Sequence, residues 1–352
     1  MTAVAQDLRV RALDSLQEIE RGAYERLHVA SGASVFYSWQ FLVAAELSPL
    51  LPYRALRYLT AWSGDALVAL MPAYLQENVD PFGVIEQTTG FPFTAATPVM
   101  LTHIMHATET RVVCAPHDLP VAGAALLRAM RDTAAQAGAH YAALLNVLSP
   151  ELLELGKQQG YASAAMWDRF NAPLAPGITM EQLVENLPTK GRWEMKRQRR
   201  KFDQSDSTKA VLPVREADVA GFAELCFRTT KKNGTPDYYP VEPMKKLVAL
   251  CADIARVIEI RSAGQLCGAG IVFPDRDVLH FWALGVDYEL SDYSPYCMLF
   301  STLYEHAIDN GFATVEVGRT NRYIKERLGF RPVQLHSLIA PLTAPLKETS
   351  HV

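Results

Sequence analysis

The chain has 352 residues, enough for two domains of ordinary size rather than one core. Apolar residues make up 49% and charged residues 20%, which excludes a disordered chain. A net charge of −4 speaks against a protein that lives on nucleic-acid backbones, DNA in particular, and leaves room for a local basic patch.

The opening MTAVAQDLRV has no basic region followed by an apolar run, so no signal peptide is expected. No apolar stretch approaches the ~20 residues that cross a bilayer. Cys114, Cys226, Cys251, Cys267 and Cys297 are odd in number, scattered and without a C-x-x-C pair, which fits a reduced compartment and no structural zinc. The expectation is a soluble, cytoplasmic protein.

In chain order, "RYLTAWSGDALVALMPAYL" from Arg57 reads as a β-hairpin turning at Gly64. "LLRAMRDTAAQAGAHYAALLNV" is an amphipathic helix stopping at Gly138, then a strand. "PELLELGKQQGYASAAMW" is a short helix, the step Gly160-Tyr161, and a strand. "NAPLAPGITM" reads as a connector. Helices follow at "TMEQLVENLP", "KGRWEMKRQRRKF", "ADVAGFAELCFRTTKK" and "VEPMKKLVALCADI". Then the first pattern returns: a hairpin from Arg256 turning at Gly264, the strand "VLHFWALGV", a helix stopping at Gly311, a strand, a short helix, Gly329-Phe330 and a strand. The repeat predicts a duplicated unit. The fold class is α/β (α+β): two tandem units, each a mixed central sheet flanked by helices. The domains are 1–172 and 173–345, with 346–352 a flexible tail.

Three stretches carry a resemblance: "LPTKGRWEMKRQRRKF", "SPYCMLFSTLYEHAIDNGFATVEVG" and "YIKERLGFRP". Together with the order of elements, they resemble the GNAT acyltransferase superfamily, and within it the Fem-type group of tandem GNAT proteins related to peptidoglycan-bridge aminoacyltransferases. The likeness spans most of 180–340 and, more loosely, 10–170. Two features depart from it. The loop where many GNAT enzymes hold the coenzyme A pyrophosphate reads "LSDYSPYCML", with no glycine, and Pro295 removes an amide donor. Ile324 splits the group's Tyr-Lys pair.

Acyl transfer to an amine requires amine deprotonation, donors for the tetrahedral oxyanion and a closely held acyl group. Glu316 ends an otherwise apolar strand, where burial tends to raise a carboxyl pKa and suits a base. Asp287 follows the strand beside which the resemblance places the acyl group. Lys325 can stabilise an oxyanion. His280 lies among apolar neighbours and reads first as a core histidine. Arg319 and Arg322 can grip a carboxylate or phosphate, with Tyr323 beside them. On the basic helix, Arg192, Lys196, Arg199 and Arg200 gather opposite Met195 and Phe202, a candidate donor- or anion-binding face. Tyr238 and Tyr239, in the turn-rich loop from Lys231 to Pro243, are substrate-lining candidates with Trp282 and Tyr296.

Cys297 reads as a buried structural thiol, and the pair His103 and His106 lacks a third ligand, so no metal is expected. The first unit has no counterpart to the charged residues and reads as catalytically degenerate. The expected function is amide-forming N-acyl transfer from acyl-CoA or another acyl thioester to a small-molecule or peptidoglycan-precursor-like amine. Aminoacyl-tRNA is the alternative donor, and a non-catalytic anion-binding protein a further alternative.

Overall fold

The structure is a computed structural model describing residues 8–80, 83–94, 96–102 and 107–342. The pair His103 and His106 and the expected tail lie outside the described residues. The elements are β1 (Leu8–Leu13), α1 (Arg21–Ser31), α2 (Trp39–Leu47), β2 (Ala55–Ser63), β3 (Ala66–Gln76), α3 (Val84–Thr89), β4 (Val99–Thr102) and β5 (Val113–Cys114). Next come α4 (Ala124–Gln136), β6 (Tyr141–Val147), α5 (Pro150–Gln158), β7 (Ala162–Pro173), α6 (Met180–Asn186), α7 (Thr189–Asp203), β8 (Ser207–Pro213) and α8 (Val219–Lys232). The rest are α9 (Val241–Leu250), β9 (Arg256–Ser262), β10 (Gln265–Asp275), β11 (Val278–Val286), α10 (Pro295–Asp309), β12 (Thr314–Glu316), α11 (Arg322–Arg327) and β13 (Arg331–Pro341).

The duplicated signals become duplicated geometry. β2–β3 and β9–β10 are antiparallel hairpins. In the second, Ala263 and Gly264 both have positive φ, the backbone that matches the right-handed strand twist. The helix stops repeat as well. Ala139 N–H returns to Ala134 O and Phe312 N–H to Ala307 O, both at 2.9 Å. Tyr161 N–H returns to Gly156 O and Phe330 N–H to Lys325 O, both at 3.0 Å. In all four the residue before the returning amide is a glycine in the left-handed region, which a side chain would strain.

The chain forms two compact units. The first comprises residues 1–39, 52–167 and 334–352, and the second 40–51 and 168–333. The division expected at 172/173 is therefore displaced, because the last strand of each half pairs away from it. From Asp168, β7 pairs antiparallel with β12, and β13 pairs antiparallel with β6. The segment holding α2 also joins the second unit, where Phe41 packs edge-on against Phe273 at 5.4 Å. Strand partners are chosen over long sequence distances, which local patterning does not encode.

Each unit is a mixed sheet with its own core. In the first, β1 through β4 run antiparallel in order and β4 pairs parallel with β6. In the second, β8 through β11 run antiparallel in order and β11 pairs parallel with β12. The second core joins Met195 and Phe202 of α7 to the buried face of α10 and to Phe330. Burying side chains of that size contributes ~1.5–3 kcal/mol each. α7 approaches the C-terminal end of α11 so closely that a Cβ on Gly191 would sit 1.6 Å from Arg327 O.

Candidate functional site

β11 and β12 pair through only three rungs: Val278 with Thr314, Leu279 with Val315, and His280 with Glu316. β12 then ends while β11 continues to Val286, so the two strands splay apart. β10 and β11 shift register here, with Ile271 opposite Ala283 and Val272 opposite Phe281, which leaves Trp282 as the extra residue of a bulge. Bulges of this kind re-aim a side chain.

The last rung before the splay is charged. His280 Nδ1 lies 3.0 Å from Glu316 Oε2, and His280 Nε2 lies 3.5 Å from Asp275 Oδ2. Both His280 and Glu316 are buried. Gly318 N–H donates to Glu316 Oε1 at 2.7 Å. Burial alone pushes the Glu316 carboxyl up, but the His280 contact, Arg169 and the Gly318 amide together bring it down to about 2. Burial pushes His280 down, yet Asp275 and Glu316 carry it up to about 9. The raised carboxyl pKa expected for Glu316 is therefore corrected: its partners outweigh its burial, and the pair is ionised at neutral pH.

Lys325 points inward, although its neighbours Arg322, Tyr323 and Ile324 are exposed. Its Nζ donates to Val317 O at 2.6 Å and to Arg319 O at 2.5 Å, and lies 5.3 Å from the Phe170 ring centroid. Burial lowers its pKa to about 8, with Glu316 opposing the fall and Arg319 adding to it. The two bonds clamp the loop from Val317 to Asn321, where Gly318, Thr320 and Asn321 have positive φ. A β-branched residue in that region is strained and needs such support. Ile324 sets this geometry: with one residue between them, Tyr323 and Lys325 fall on different sides of α11.

The other candidates fall into separate groups. Arg322 pairs with Asp168, and with Glu326 at 3.1 Å. Tyr323 carries the Arg327 guanidinium 5.3 Å from its ring centroid. Asp287 caps the turn after β11, accepting from Glu289 N–H at 3.0 Å and pairing with Arg228 at 2.8 Å. On α7, Arg192 and Lys196 both pair with Glu185, while Arg199 pairs with Glu305 at 3.0 Å. Lys196, Arg199 and Arg200 line a groove between α6 and α7 with Glu181, Glu185 and Asp203.

Trp282 and Tyr239 do come together. Their ring centroids are 6.3 Å apart, and Tyr238 lies edge-on to Tyr239 at 4.9 Å. Tyr239 also interacts electrostatically with Arg319. Tyr296 is buried in α10 against Phe300, its hydroxyl beside Asn321. These aromatics thus approach the loop clamped by Lys325. Cys297 is buried, with its thiol pushed up to about 12 chiefly by burial. Among the described residues no cluster of histidine, cysteine, aspartate and glutamate is arranged to hold a metal ion.

Two amides at the N-terminus of α10 are bonded from within. Ser294 Oγ accepts from Cys297 N–H at 3.2 Å, and Ser294 N–H donates to Gln198 Oε1 of α7 at 2.8 Å. Gln198 is in turn held by Glu194 at 2.6 Å. This is the helix end at which the family resemblance places a pyrophosphate.

In the sequence His280 looks like a core histidine, and Asp275, Arg169 and Asp168 carry no local signal of a site. His280 sits in an apolar strand, and its partners come from other strands. The usable signal was that β11 and β12 each carry a single ionisable residue in an otherwise apolar strand.

Residues 189–326 match the family model described as the acetyltransferase (GNAT) domain. No curated protein matches the chain significantly. Among solved structures, FemX superposes with a TM-score of 0.62 at 10% identity, covering 93% of this chain and 96% of that one. A tandem GNAT protein from the clavulanic acid biosynthesis pathway gives 0.57 at 12%, covering 96% and 99%. The fold is a tandem GNAT fold of the Fem type. The C-terminal domain of a putative lysylphosphatidylglycerol synthetase from Agrobacterium fabrum superposes with a TM-score of 0.53 at 11% identity, covering 77% and 81%.

The two units differ in chemistry at one matching rung. Counting three residues on from Gly138 and from Gly311 aligns β6 with β12. The first unit then places Leu101 opposite Ala143 where the second places His280 opposite Glu316. Beyond that rung, Asn146 bonds Ala107 O and accepts from Trp167 Nε1, both at 3.1 Å, and Thr110 pairs with Val147.

Proposed function

We propose that the protein is an amide-forming N-acyltransferase whose chemistry lies in the second unit, at the splay between β11 and β12. The observation that carries this reading is the rung comparison. Leu101 and Ala143 satisfy the fold with an apolar pair, so the buried charges of His280 and Glu316 answer to something other than folding. Burying ions without such a need is costly.

Around the splay, Glu316 lies in the field of His280, Arg169 and Lys325, with Arg319 acting on Lys325 in turn, while Asp275 pairs with His280 and with Arg276 at 3.2 Å, so cations outnumber carboxylates. A cationic site disfavours an ammonium, so the acceptor binds as the free amine that attacks. The same field stabilises the oxyanion of the tetrahedral intermediate. The amine nitrogen bonds to the acyl carbon, the thiolate or alkoxide leaves, and the amine's proton goes to the leaving group or solvent. Glu316, held ionised near 2, is too weak a base for that proton. Its role is to fix His280 and the Gly318 amide, while Lys325 fixes the loop that carries Arg319. Trp282, Tyr238 and Tyr239 line the acyl or amine side. The first unit is catalytically silent in this reading.

An acyl thioester such as acyl-CoA is the leading donor. A second reading, an aminoacyl ester on tRNA, is favoured by one observation: Gln198 occupies the amide at the start of α10 where a pyrophosphate would bind. The acceptor is an amine, either a small molecule or a peptidoglycan-precursor-like compound. The chain should be incubated with a panel of amines and either labelled acetyl-CoA or charged tRNA. Amide formed from the thioester supports the first donor. RNase-sensitive amide formation supports the second. Anion binding without consumption of either donor would overturn the enzyme reading.

A further inference from the structure

Three large hydrophobic side chains are displayed on two touching helices. Trp193 of α7 is 61% exposed, and Tyr323 and Ile324 of α11 are 64% and 42% exposed. The two rings are braced rather than loose. Arg197 lies 4.9 Å from the Trp193 ring centroid and Arg327 5.3 Å from that of Tyr323. Glu194 links the braces, pairing with Arg197 at 2.7 Å and interacting electrostatically with Arg327. The helices meet where Gly191 abuts Arg327 O. Along α7, Lys190, Trp193, Arg197 and Lys201 recur at i, i+3, i+7 and i+11, which is one outward face.

We propose that this α7–α11 face docks the protein on an anionic lipid surface. Trp193, Tyr323 and Ile324 rest at headgroup depth, and the cations of α7 meet lipid phosphates. Indole and phenol rings favour that depth because one end is apolar and the other polar. Lysines and arginines near a negatively charged leaflet are drawn to it over about a Debye length. Ile324 selects lipid over single-stranded nucleic acid, since bases stack on rings and gain nothing from an isoleucine. Single strands also track a cationic groove, and the groove beside α7 is lined by as many carboxylates as cations. Among the described residues no helix is long and apolar enough to cross a membrane, so the contact is peripheral. This docking is independent of the acyl-transfer reading.

Co-sedimentation of the full chain with phosphatidylcholine vesicles, with and without phosphatidylglycerol, tests it. Binding is expected only with phosphatidylglycerol, weakening as salt rises. The triple variant Trp193→Ser, Tyr323→Ser, Ile324→Ser should lose at least ~tenfold in vesicle affinity. The double variant Lys190→Glu, Arg197→Glu, which spares all three hydrophobic side chains, should lose a similar amount. A thermal melt of each variant separates lost docking from lost folding. No binding to the phosphatidylglycerol vesicles, or binding unchanged in a folded variant of either kind, would overturn the proposal. So would binding of a single-stranded RNA oligonucleotide through these residues without vesicle binding.

Discussion

His280 and Glu316 form a buried ion pair, 3.0 Å apart, on the last rung before β11 and β12 part. At the matching rung of the first unit stand Leu101 and Ala143. The molecule thus contains its own control: the same local architecture with and without the charges.

Removing one partner leaves the other buried and unpaired, which typically costs about 3–5 kcal/mol. Glu316→Ala alone should therefore lower stability strongly. The double variant His280→Leu, Glu316→Ala copies the first unit's rung and should be more stable than that single variant, as read by urea denaturation. Additive losses would show that the two residues do not act as a pair.

The pair also sets a pH dependence. His280 has a folded pKa raised from 6.5 to about 9, so its contribution is complete below 6.5 and is lost as pH rises through about 9. Lys325, lowered to about 8, works in the opposite direction above that value. Between pH 6.5 and 8 the histidine dominates, and stability should fall by about 1 kcal/mol. The double variant should show no such fall over the same range. A flat wild-type profile would mean that His280 is neutral in the folded protein.

Lys325 holds two carbonyls of a loop with three positive φ values. Lys325→Met keeps much of the side-chain volume and removes both bonds. Faster hydrogen exchange across residues 317–321 is expected, with at least a ~tenfold fall in turnover. Unchanged exchange would reduce the lysine to a buried cation without a positioning role.

Gly191→Ala places a methyl group against Arg327 O, so α7 and α11 must separate. A loss of ~1–3 kcal/mol is expected from such overpacking, measured by thermal melting. A neutral effect would mean that α11 moves freely against α7.

Much of the fold was legible because its signals are local. The Gly64 and Gly264 hairpins and the helix stops at Gly138, Gly160, Gly311 and Gly329 each declare themselves within a few residues. The exchange of β7 and β13 was not legible, since nothing within a strand names its partner. The geometry of the candidate site was legible in part. Glu316 stood out as a carboxylate in an apolar strand, but its pKa moves opposite to the expectation because His280, 36 residues away, and Arg169, on β7, reach it only in the fold. The charge pattern of α7 predicted its outward cations, and the partners Glu185 and Glu305 became visible only in the fold.

The central claim is that the charged rung serves acyl transfer and not folding. The direct measurement compares label transfer from donor to amine by the wild type and by the double variant His280→Leu, Glu316→Ala, both confirmed folded by melting. The account predicts amide formation by the wild type and at least a ~hundredfold lower rate in the folded double variant. A double variant that transfers the acyl group at the wild-type rate would contradict it.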